Sequence, residues 1–171
     1  MEIRQLPVED AAIYRELRLR ALREDPEAFG ETYEEALANP LARTEERLRA
    51  QAAPDGSFTL GAFQDGLVGA VTLLREVRVK MRHRAVIVGM YVTPEVRGRG
   101  VGRALLSAAC ARAATLNGLA QLHLAVVMPN APARQLYRSM GFVPYGVEPR
   151  ALNVGDRYWD EELMMLALHP A

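Results

Sequence analysis

The sequence predicts one α/β domain spanning residues 1–171, built on a mixed, mostly antiparallel sheet of about six or seven strands with about four helices on its faces. Three observations predict it. Two β-rich runs, Ser57–Phe63 and Leu67–Val77, are joined through Gln64-Asp65-Gly66, and Asp-Gly between such runs signals a hairpin. A third run, Ala85–Val92, extends the hairpin to a meander and ends in a glycine-rich passage that turns into a long helical pattern. Beyond that helix the pattern alternates strand, helix, strand, strand. The composition, 50% apolar and 25% charged, suits one ordinary core, and no repeat, low-complexity tract or linker divides the chain.

Taken in order, Met1–Leu6 alternates apolar and polar residues and reads as a short strand. Pro7 and the acidic pair Glu9-Asp10 mark a helix entry, where negative charge suits the positive end of the dipole. Ile13, Leu17 and Ala21, joined by Tyr14, make an apolar stripe through about Arg23, and Asp25-Pro26 ends it because the residue before proline avoids the α region. Glu27–Asn39 is acidic and carries Phe29 and Tyr33; Pro40 opens a helix from Leu41 to about Ala53. Pro54-Asp55-Gly56 is turn chemistry before the meander. From Gly100 to Leu116, Val101, Ala104, Leu105, Ala108 and Ala111 recur at helical spacing, and Asn117-Gly118 closes the helix. Leu122–Val127 is a strand and Ala131–Met140 a helix capped by Gly141. Phe142 to about Arg150 and Arg157–Leu168 are final strands around Asn153-Val154-Gly155-Asp156.

Bulk properties exclude several classes. Lys+Arg and Asp+Glu both number 21, so the basic surplus of a nucleic-acid binder is missing and no nucleic-acid partner is expected. The one cysteine, Cys110, allows no internal disulfide and lies among small residues as a structural side chain. His83, His123 and His169 are scattered without ligand spacing, so no metal site is expected. Met1–Leu6 lacks an apolar leader and no run approaches the length of a bilayer span, which leads to the expectation of a cytoplasmic protein with no membrane partner.

The chemistry concentrates at Val88-Gly89-Met90-Tyr91-Val92-Thr93-Pro94-Glu95-Val96-Arg97-Gly98-Arg99-Gly100-Val101-Gly102. A helix start offers unpaired N–H groups and the positive end of the macrodipole, an arrangement that favours anions. Gly98, Gly100 and Gly102 let a ligand approach the backbone, and Arg97 and Arg99 add positive charge. Glycines spaced by two do not match the dinucleotide pattern G-x-G-x-x-G, and Val101-Gly102-Arg103 is not the Gly-Lys-Ser/Thr of a Walker loop.

Arg97-Gly98-Arg99-Gly100-Val101-Gly102 resembles the R/Q-x-x-G-x-G/A signature of the GNAT family of N-acetyltransferases. A second block, Asn130 to Phe142, is similar to the family's N-x-x-A-x-x-L-Y-x-x-x-G-F segment, matching at Asn130, Ala133, Leu136, Tyr137, Gly141 and Phe142. The resemblance is strong over Ala85–Phe142 and implies acetyl transfer from acetyl-CoA, a co-substrate used without metal, to a primary amine of a small molecule or peptide. It implies that the backbone of Met90, Tyr91 and Val92 receives the acetyl and pantetheine portions. The pyrophosphate would lie at Arg97, Gly98, Arg99, Gly100, Val101 and Gly102, with Asn130 as a further contact. The cleft would open between the strands ending near Val92 and Val127, and Tyr137 would protonate the departing thiolate. Homodimers are common in the family.

Each assignment has a plainer counterpart. Tyr137 shares a helical face with Ala133 and Leu136, as a core aromatic would, and Asn130 suits a helix N-cap. The position where some family members carry a basic glutamate is Arg84, which cannot serve as a base. The base is then a water chain or one of Glu34, Glu35, Asp160 and Glu161. Phe29, Tyr33, Tyr158 and Trp159 would suit a cationic amine with an apolar body, or pack as core. The missing base also allows a different class, a CoA-binding sensor or scaffold without catalysis.

Overall fold

In the computed structural model, which describes residues 1–53 and 56–168, the N-terminal alternation forms strand β1 (Glu2–Gln5) and the acidic entry leads into helix α1 (Ala11–Glu24). The acidic segment contains a short helix, α2 (Tyr33–Ala38), and Pro40 is the N-cap of α3 (Leu41–Ala50). The meander is β2 (Phe58–Phe63), β3 (Leu67–Arg75) and β4 (Arg84–Val92). Helix α4 (Val101–Ala114), strand β5 (Gln121–Val127) and helix α5 (Ala131–Ser139) follow, then β6 (Val143–Val154) and β7 (Arg157–Ala167). Pro54 and Asp55 of the expected turn, and His169, lie outside the described residues.

The seven strands form one sheet in the order β1-β2-β3-β4-β5-β7-β6. Every neighbouring pair is antiparallel except β4 and β5, which run parallel because α4 crosses over between them. Period-two alternation then divides the side chains between two layers. On one face Phe58, Leu60, Val71, Leu73, Ile87, Leu122 and Leu124 pack under α4 and α5. On the other, Ala70 and Tyr91 pack beneath α1 and α3 through Tyr14, Leu17, Ala21 and Leu48. Burial of a side chain such as Leu105 or Phe58, both fully enclosed, stabilises by about 1.5–3 kcal/mol each.

Some boundaries differ from the sequence reading. Ile13 is 40% exposed, because α1 turns Ala11, Tyr14 and Leu17 rather than Ile13 toward the sheet. The fifth helix, α2, exists because Thr32 and Glu35 form a capping box: the Glu35 amide donates to Thr32 Oγ1 at 3.1 Å, and the Thr32 amide donates to Glu35 Oε2 at 2.8 Å. Strand β6 continues past Arg150 to Val154, so Asn153 and Val154 pair with β7 and only Gly155 and Asp156 turn. The continuation is made possible by an irregularity between Glu148 and Leu152, where Arg150 takes a positive φ of 54°.

Candidate active site

Strands β4 and β5 pair only at Arg84–Gln121, Ala85–Leu122 and Val86–His123. Beyond those positions they diverge, and the facing backbone edges of Ile87–Val92 and Leu124–Val127 are left without a partner strand. The β3–β4 register also slips between Ala70 and Thr72, opposite Gly89, whose φ of +61° marks a bulge. The bulge sets Met90 and Val92 against the α4 face while the Tyr91 side chain turns to the α1 face. A slot bounded by free backbone therefore opens between the ends of β4 and β5, near Val92 and Val127.

The glycine-rich loop closes one end of that slot. Gly98 and Gly100 sit at φ +75° and +82°, the left-handed region that glycine enters without strain, and nothing lies within 4 Å of either missing Cβ. The amides of Gly98, Gly100, Val101, Gly102 and Arg103 have no protein acceptor among the described residues; the first bond of the helix is Ala104 N to Gly100 O at 3.0 Å. These amides and the α4 dipole converge on open space, as an anion such as a pyrophosphate requires. A Cβ at Gly102 would meet Leu136 and Met90 at 3.4 Å, so this glycine lets the first turn of α4 seat against β4 and α5.

The two arginines behave differently. Arg99 is exposed and has no side-chain partner among the described residues. Arg97 instead points back to α1: its Nη2 donates to Asp25 at 2.5 Å, its Nε to the Val92 carbonyl at 2.8 Å, and its guanidinium lies over the Tyr91 ring. Its charge is paired, so Arg97 acts here as a tie between loop and α1. The Tyr91 hydroxyl donates to Glu24 in the same region; burial and that carboxylate push the phenol well above its ordinary value. The Tyr91–Glu24 and Arg97–Asp25 ties were not legible in sequence, because each joins residues far apart in the chain.

Helix α5 carries Tyr137 into the core cluster that also holds Met90, Val92 and Val126. The ring is 7% exposed and packs edge-on against Phe142, and burial pushes its hydroxyl up to about 12. That hydroxyl has no protein hydrogen-bond partner among the described residues, yet no buried side-chain nitrogen or oxygen among them is left unpaired, so the oxygen keeps some accessible surface. Tyr137 is thus both a core ring and a free donor. Asn130 is the N-cap of α5, its Oδ1 accepting from the Ala133 amide at 3.1 Å. The residue missed in sequence is Glu162 of β7, which is 5% exposed and accepts from Arg134 at 3.0 and 3.2 Å and from Arg138 at 2.8 Å. Those arginines, Arg134 first, hold its carboxyl below the usual range and pin α5 to the sheet on both sides of Tyr137.

The four carboxylates considered as bases separate clearly. Glu35 is spent in the α2 capping box, which lowers its pKa. Asp160 accepts from the Arg150 amide at 2.7 Å. Glu34 lines a cavity of about 530 Å³ between the segment after α1 and the β6–β7 hairpin, together with Leu22, Arg23, Phe29, Tyr33 and Leu152. Glu161 is half-buried, pairs with Val127 and Glu148, and has its carboxyl raised by burial first and by Glu148 second. The four aromatics weighed as a platform for a cationic amine each carry one of the chain's own arginines: Arg18 over Phe29, Arg23 over Tyr33, Arg150 over Tyr158 and Arg157 over Trp159. Cys110 packs partly buried beside the core, and burial raises its thiol to about 11, in keeping with a structural role. Among the described residues no group of three or more His, Cys, Asp or Glu could hold a metal, and no helix is long and apolar enough to cross a membrane.

Comparison with known proteins bears on this arrangement. Residues 17–142 match the model of a family described as the acetyltransferase (GNAT) family. A spermidine N(1)-acetyltransferase of Vibrio cholerae is 28% identical over 109 residues, 64% of this chain and 61% of that relative. The chain therefore aligns with less than two thirds of that enzyme. A GNAT-family acetyltransferase structure from Streptococcus pneumoniae superposes with a TM-score of 0.89 at 26% identity, covering 97% of this chain and 98% of the other. A putative acetyltransferase from Salmonella typhimurium, solved with acetyl-CoA, shares the fold with a TM-score of 0.87 at 22% identity, covering 100% and 95%.

Proposed function

Because the chain belongs to the GNAT family of acetyltransferases, whose model it matches over residues 17–142, we propose that it transfers an acetyl group from acetyl-CoA to a primary amine of a small molecule or peptide. The observation that carries the reading is the slot. Free backbone of β4 beyond Val86 stands beside a helix start with five unpaired amides, counted from Gly98, Gly100, Val101, Gly102 and Arg103. The two features suit the two ends of one ligand: an amide-bearing arm that hydrogen-bonds like an added strand, and a pyrophosphate.

In this reading the loop amides and Arg99 hold the phosphates, and Met90–Val92 align the pantetheine arm. A backbone N–H of that segment stabilises the oxyanion that develops as the amine attacks the thioester carbonyl. Tyr137 then donates its hydroxyl proton to the thiolate as the C–S bond breaks. Its raised pKa keeps it protonated across the neutral range, which suits an acid rather than a base. Asn130 contributes by starting α5 at the correct place, and the cavity beside Tyr33 and Leu152 receives the acceptor.

The test is release of free thiol from acetyl-CoA by the purified chain with a panel of primary amines, alongside calorimetric binding of acetyl-CoA. Binding with amine-dependent thiol release is expected. Tight binding with no turnover of any amine would replace the reading with a non-catalytic CoA-binding module.

A further inference from the structure

The register of the last strands places one carboxylate between the acceptor cavity and the slot. Glu162 points to the α5 face, where it meets Arg134 and Arg138, so Glu161 points to the opposite face, shared with Tyr91 and α1. Glu161 lies directly across from Val127, the last residue of β5 and the lip of the slot. One same-face step along β7, about 7 Å, is Trp159, which pairs with Leu152 of the acceptor cavity. Glu161 thus stands, by register, between Leu152 at the cavity and Val127 at the slot.

Resting on the acetyl-transfer reading, we propose that Glu161 is the general base that deprotonates the acceptor ammonium, and that Glu148, directly across on β6, tunes it. Tyr137 and Glu161 stand on opposite faces of the slot, acid on the thiol side and base on the amine side. The proton count closes. Glu161 takes one proton from the ammonium and gives it to water. The neutral nitrogen forms the C–N bond as the C–S bond breaks, the sulfur takes the Tyr137 proton, and the second nitrogen proton returns to the Tyr137 oxygen.

The surroundings of Glu161 favour this role. Its neighbours on the same face are Val127, Trp159 and Leu163, and the facing charge is Glu148; the turn Pro26–Ala28, packed on β5 and β6, adds Glu27. Arg157 lies over the Trp159 ring, and no cation lowers the Glu161 pKa. Burial and the facing acid raise it instead, the direction that makes a carboxylate a stronger base.

The experiment follows kcat/KM against pH for the wild type, Glu161→Gln and Glu148→Gln, with spermidine and with hydroxylamine, an amine already neutral at pH 7. Glu161→Gln should lower spermidine turnover at pH 7 by about 10²-fold, recover as the pH rises, and affect hydroxylamine far less. Glu148→Gln should move the acidic limb to lower pH while its plateau changes little. Acetyl-CoA affinity should be unchanged in both variants. An equal loss for both amines at every pH, or an acidic limb unmoved by Glu148→Gln, overturns the inference. Full Glu161→Gln activity beside an active wild type overturns it alone, whereas a wild type that turns over no amine overturns the acetyl-transfer reading with it.

Discussion

Substitution at Gly100 separates cofactor binding from folding. Gly100 stands at φ +82° as the N-cap of α4, with open space where a side chain would begin. Alanine there meets no clash, so its cost is the left-handed backbone alone, about 1–2 kcal/mol. In a domain of this size that lowers Tm by about 2–8 °C. The same Cβ, however, enters the space onto which the unpaired amides converge, and glutamate adds a negative charge where phosphates would lie. Gly100→Glu should therefore weaken acetyl-CoA binding at least tenfold, about 1.4 kcal/mol. At a fixed ligand concentration well above Kd, the variant should lose about that much of the stabilisation acetyl-CoA confers, some 3–6 °C of ligand-induced Tm shift. Calorimetry and thermal melts with and without acetyl-CoA measure both quantities. A variant that melts lower yet binds acetyl-CoA with wild-type affinity would refute the anion site.

Other expectations follow from the same geometry. Tyr137→Phe keeps the ring against Phe142 and removes only the free hydroxyl, so kcat should fall about 10²-fold with acetyl-CoA affinity and Tm nearly unchanged; full activity where chemistry limits the rate would remove Tyr137 from the mechanism. Because burial holds that hydroxyl near 12, no alkaline loss of wild-type activity between pH 7 and about 9.5 should trace to it, and a limb there that vanishes in Tyr137→Phe would contradict this. Glu162→Gln should destabilise the chain by about 1–3 kcal/mol, since two arginines lose their carboxylate. The folded pKa of Glu162 is depressed, so its contribution is present above the unfolded carboxylate pKa and disappears as pH falls through the lower folded value. Urea melts from pH 7 to pH 3 should accordingly converge for wild type and variant at the acidic end; a constant difference would show that pairing is not the cause.

Much of this protein is determined locally, and the sequence shows it. Hairpin chemistry at Asp65-Gly66, helical spacing after Gly100 and the glycine triplet each act within a few residues, and each appears where local rules place it. The cleft between the ends of β4 and β5 was expected only through the family resemblance, and the short pairing at Arg84–Val86 is what opens it. What the sequence could not settle is which face each side chain takes and what waits there. A bulge at Gly89 turns Tyr91 to α1 and Met90 to α4, and one residue of register decides that Glu162 binds arginines while Glu161 faces the opposite side of the sheet. Arg97 reads as a phosphate ligand by its spacing, but Asp25, brought close only by packing of α1, holds its charge. Phe29, Tyr33, Tyr158 and Trp159 read either as platforms for a cationic amine or as core, and the fold lays an arginine over each. Backbone preferences depend on neighbours in the chain; charge pairing and burial depend on neighbours in space, and only the closed sheet with its helices supplies those.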